Sequence, residues 1–147
     1  MADALYPVFE IPSVTAISTE AQREYKPSPM FDYEKGDFVR DGANRIVMCD
    51  GYEGFKQWCI KALKTERGSC LTYSGVGIES EAASAESGRL AVQAAYERTI
   101  TETLLMNPNT ERVKNFEFEW DANELQISFT IQARDWVAFN IELSVVA

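Results

Sequence analysis

Histidine is missing from all 147 residues, and cysteine occurs only at Cys49, Cys59 and Cys70. The first absence removes Ser-His-Asp and Cys-His catalysis. Without histidine or a CxxC pair, the chain cannot close a zinc site from Cys and His alone. An odd cysteine count is no disulfide framework, so the thiols read as reduced, small core residues. Long apolar runs are also missing. None approaches the roughly 18 residues that cross a bilayer, so no membrane partner is expected. The stretch MADALYPVFE has neither a basic flank nor an apolar h-region, so no signal peptide is expected. Positive charge is scarce: 14 Lys and Arg face 23 Asp and Glu, a net charge of −9. A nucleic-acid backbone needs clustered Lys and Arg, so no nucleic acid is expected as partner. The acidic balance favours solubility or a partner with a basic face.

What is present is a core. Hydrophobic residues make up 46% of the chain and aromatics 12%, enough for one globular domain. Residues 1–29 differ from the rest. Pro7, Pro12, Pro27 and Pro29 interrupt any period, and proline fixes φ while withholding a donor. This part reads as an extended arm with Leu5, Tyr6, Val8, Phe9 and Ile11 as apolar anchors, followed by one domain over residues 30–147.

MFDYEKGDFVR (30–40) has the pattern of a hairpin looped at 34–37, and RIVMC (45–49) that of a short strand. In 51–68, Phe55, Trp58, Cys59, Ala62 and Leu63 recur at helical spacing, with Gly68 as a C-terminal cap. A long connection with a helical turn near 80–86 leads to a second helix over about 89–106. There Leu90, Ala94, Ile100, Leu104 and Leu105 are expected to share a face with Glu97, and Pro108 to stop the helix.

The last third alternates strictly. Phe116, Phe118 and Trp120 precede the loop 121–124, then Leu125, Ile127, Phe129 and Ile131 follow. After a reversal at Arg134-Asp135 come Val137, Phe139, Ile141, Leu143 and Val145. Period two over three segments predicts an antiparallel meander with one buried and one wet face. Packed on two helices, it makes an α+β domain. Its last strand carries no proline or lysine along 136–147, so the edge is unblunted and open to another strand. Trp136, Ala138, Asn140, Glu142 and Ser144 are expected on the wet face, with Asn140 and Ile141 as candidate ladder donors.

Candidate chemistry is thin. Glu66, Glu97 and Glu111 are the carboxylates that could converge as a glycosidase pair. Each is followed by an arginine, Arg67, Arg98 or Arg112, and a guanidinium favours the ionised form, against the needs of a general acid. Cys70 follows Arg-Gly-Ser in a loop without an identifiable base. SGVGIES (74–80) lacks the spacing of a phosphate loop. No catalytic residue, metal site or cofactor is expected. Glu111 and Arg112, adjacent on a strand, point to opposite faces and must find partners elsewhere. Glu66, Arg67, Glu97, Glu111 and Arg112 form a candidate structural network pinning helix ends to the sheet; ordinary exposed charges are the alternative.

ALKTERGSCLTYSGVGIE (62–79) and ETLLMNPNTERVKNFEF (102–118) together resemble the baseplate wedge and sheath-initiator family of contractile tails. The likeness is greatest to the branch found in PBSX-type defective prophages and phage-tail-like bacteriocins. Leu63, Thr65, Glu66, Arg67 and Gly68 match the family's first helix end, and Glu102, Leu104 and Leu105 its later helix. Glu111, Arg112 and Val113 match its Glu-Pro-Arg-Val step without the proline. The resemblance implies a non-enzymatic sheath initiator, present in six copies as a ring around the tail tube. Its partners would be the sheath protein and the baseplate wedge and hub proteins, in a particle assembled in the host cytoplasm. A lysozyme-like baseplate glycosidase and a neck or tube-completion protein are the alternatives.

Overall fold

The computed structural model describes residues 27–146. Ser28–Pro29 (β1) pairs with Met48–Cys49 (β4), and Phe31–Asp32 (β2) with Asp37–Phe38 (β3). Paired structure therefore reaches residues 28–29, which the sequence pattern leaves in the arm. The hairpin turn spans 33–36, held by the Asp32 carboxylate accepting from the amides of Glu34 and Lys35. These hydrogen bonds draw the Asp32 pKa down from its ordinary value. The arm anchors Leu5, Tyr6, Val8, Phe9 and Ile11 lie outside the described residues.

Helix α1 (Gly51–Leu63) buries Phe55, Cys59, Ala62 and Leu63, with Trp58 half-buried. It stops five residues before Gly68. Lys64 caps it, Thr65 Oγ1 donates back to the Lys61 carbonyl, and Glu66 bridges in parallel to Ile78. That bridge leaves no room for a side chain at residue 77. A Cβ on Gly77 would lie 2.5 Å from the Thr65 carbonyl oxygen, and its φ is +121°, so glycine is required. Burial pushes the Cys59 thiol up to about 12, which makes it a packing residue and not a nucleophile.

Ser80–Ser84 forms a short helix, α2, and Arg89–Leu105 forms α3. The buried face of α3 carries Val92, Tyr96, Thr99, Ile100, Thr103 and Leu104. Of the expected face, Ile100 and Leu104 are buried, whereas Leu90, Ala94, Glu97 and Leu105 are turned to solvent, Leu90 being 82% exposed. Hydrophobicity alone misplaces part of the stripe because two of its members, Thr99 and Thr103, are threonines whose hydroxyls are bonded inside. Thr99 Oγ1 accepts from the Glu79 amide at 2.9 Å, and Thr103 donates to the Gly77 carbonyl.

Strands β5 (Thr110–Asp121), β6 (Glu124–Ala133) and β7 (Phe139–Val146) form an antiparallel sheet in the order β5-β6-β7. Leu125, Ile127, Phe129 and Ile131 of β6 are fully buried against α1 and α3. Phe116, Phe118, Trp120, Phe139, Ile141, Leu143 and Val145 pack around them. The result is a two-layer α+β domain whose other sheet face carries Glu117, Glu119, Gln126 and Glu142 in solvent and Ser128 half-buried between them.

Candidate functional site

Strand parity decides what the outer edge of β7 offers. Asp121 and Glu124 are paired across the two-residue turn Ala122-Asn123, and the pair closing such a turn exchanges both main-chain hydrogen bonds. Counting along β6, Glu124, Gln126 and Ser128 therefore bond toward β5, while Leu125, Ile127, Phe129 and Ile131 bond toward β7. Their partners on β7 are Val145, Leu143, Ile141 and Phe139. The N–H and C=O groups of Asn140, Glu142 and Ser144 consequently point away from the sheet. Thr130 Oγ1 donates to Asn140 Oδ1 at 2.7 Å, as expected of a non-hydrogen-bonded pair, whose side chains approach more closely.

Among the described residues, nothing pairs with this edge. Beside it lies a groove of about 430 Å³, walled on one side by Asn140–Ser144 and on the other by Ile60, Leu63 and Lys64 of α1. Lys64 Nζ sits 5.7 Å from the centre of the Tyr33 ring. The groove floor is aliphatic, from Ile60, Leu63, Ile141 and Leu143. Alternation along the last strand indicates the edge; the helix wall, and Ile60 in particular, is beyond its reach. Ile60 lies at the margin of the α1 stripe among lysines, and only tertiary packing turns it toward β7.

Trp136 and Ala138 do not belong to the strand. Residues 134–138 bend before β7 begins, so period two fails there. Trp136 instead packs on Tyr52 and Phe55 of α1, with ring centres 5.8 and 5.6 Å apart. Val137, expected in the core, is 78% exposed. Asn140, Glu142 and Ser144 lie on the wet side as expected, and Ile141 packs inward.

The expected charge network is assembled from other partners. Arg67 Nη1 reaches Glu79 at 3.1 Å and Glu102 at 3.5 Å. Its Nη2 donates to Thr103 Oγ1 and its Nε to the Gly77 carbonyl, both at 3.1 Å. Glu66 accepts from the amides of Ser80 and Glu81 and from the Ser80 hydroxyl, holding the start of α2. Glu97, Glu111 and Arg112 are exposed and take no part. The reason is a register shift between Thr110 and Arg112. Such a bulge adds an unpaired residue and breaks alternation, so Glu111 and Arg112 both reach solvent. Glu66, Glu97 and Glu111 do not converge on a cleft.

Fold and edge together define a small two-layer α+β protein with a strand edge unpaired among the described residues and a groove beside it. The family model described as contractile injection system sheath initiator matches residues 28–135. The chain belongs to that family, structural components of contractile machines. No curated protein matches the chain. The family match ends before β7, so the reading of that edge stands on geometry.

Proposed function

We propose that this chain sits in the baseplate of a contractile tail and starts the sheath by strand addition to β7. The outward amides and carbonyls of Asn140, Glu142 and Ser144 would pair with an extended arm of the sheath protein. The observation that carries the reading is that unpaired edge with a groove alongside it. Main-chain pairing supplies affinity and alternate side chains supply selectivity. Six copies around the tail tube, contacts to wedge and hub proteins, and assembly in the bacterial cytoplasm complete the proposal. The likeness of 62–79 and 102–118 to tail-like bacteriocins and PBSX-type prophages supports that branch. In this reading Leu5, Tyr6, Val8, Phe9 and Ile11 anchor the arm on a neighbouring subunit, and the protein catalyses nothing.

Proline substitution separates template from fold. Asn140→Pro removes an outward donor and leaves the β6–β7 ladder whole, whereas Ile141→Pro removes an inward one. Asn140→Pro should fold and yield particles without sheath by electron microscopy, while Ile141→Pro should lower the melting temperature. Full-length sheath on particles carrying a folded Asn140→Pro protein would remove the mechanism.

A further inference from the structure

We propose that the strand received at β7 alternates apolar residues, seated in the groove, with basic residues on the outer face. The inference rests on the reading of β7 as a strand acceptor and adds the chemistry of what it accepts. A strand added to β7 continues its pleat, so each incoming side chain shares the face of the residue opposite. Positions opposite Ile141 and Leu143 point toward α1. They enter the 430 Å³ groove over Ile60 and Leu63, a space far larger than the roughly 30 Å³ share of one water. Aliphatic side chains there would bury apolar surface on both sides.

Positions opposite Asn140, Glu142 and Ser144 lie on the wet face instead. Glu142 stands opposite Ser128, which stands opposite Glu117. One row of the sheet thus carries two carboxylates, and among the described residues neither is in an ion pair. β7 itself carries no cation. A Lys or Arg opposite Glu142 would gain a cross-strand partner, whereas a Glu there would meet a like charge. The nearest cation on α1, Lys64, lies on the groove side and cannot serve the wet face.

The test uses three labelled ten-residue peptides: valine alternating with lysine, valine with glutamate, and serine with lysine. Binding is followed by fluorescence anisotropy at low ionic strength. The valine–lysine peptide should bind about three- to five-fold tighter than valine–glutamate, and serine–lysine should bind weakly. Glu142→Lys should reverse the charge preference. Glu119→Lys, with the same change in net charge but on β5, should keep it. Equal binding of the two valine peptides, or equal effects of the two lysine variants, would overturn the proposed pattern and leave the acceptor edge standing. If no peptide binds, or if Asn140→Pro leaves binding unchanged, the acceptor reading fails and the pattern with it.

Discussion

Arg67 shows how one side chain can tie the segment after α1 both to the loop before α2 and to α3. Its guanidinium bonds to Glu79 before α2, to Glu102 and Thr103 on α3, and to the Gly77 carbonyl. Hydrogen bonds to charged groups contribute about 1.5–3 kcal/mol when partly buried. Arg67→Ala should therefore cost about 2–3 kcal/mol in urea denaturation, and Arg112→Ala no more than about 0.5 kcal/mol. Equal losses would place the clasp at the wrong arginine. The sequence announces a Glu-Arg pairing problem at both places and cannot rank them. What decides is the bulge at Glu111, a local break in register with no residue signature of its own. The Thr99 and Thr103 hydroxyls were equally illegible, because a threonine reads as surface until its partners are known.

At the scale of elements, the meander was the most legible part of the chain. Strict period two along 125–131 and 139–145 predicts which side chains meet the helices, and β6 and β7 place them so. Helix α1 was legible in its stripe and not in its end, since the parallel bridge from Glu66 to Ile78 is a long-range event. The turn joining β5 and β6 carries a testable fault. Ala122 has φ +49°, a conformation in which a Cβ is strained and glycine is not. Ala122→Gly should raise stability by about 0.5–1 kcal/mol, read from the shift in thermal midpoint, because relief of strain exceeds the added freedom of the unfolded chain. A lower midpoint would mean that the turn tolerates alanine without strain.

At the scale of the whole molecule, helices cover one sheet face, solvent wets the other, and β7 closes the sheet without a partner among the described residues. The absence of lysine and proline along 136–147 made that edge visible in the sequence. The groove beside it was not, since Ile60 and Leu63 meet Ile141 and Leu143 only after α1 packs beneath the sheet. Residue-resolved amide hydrogen exchange measures directly whether, as proposed, this edge stays open until sheath protein fills it. In the free protein, the amides of Ile141, Leu143 and Val145 should be protected while those of Asn140, Glu142 and Ser144 exchange fast. On binding sheath protein, the latter three should become protected. If they still exchange fast in a verified complex, β7 is not the strand on which the sheath begins.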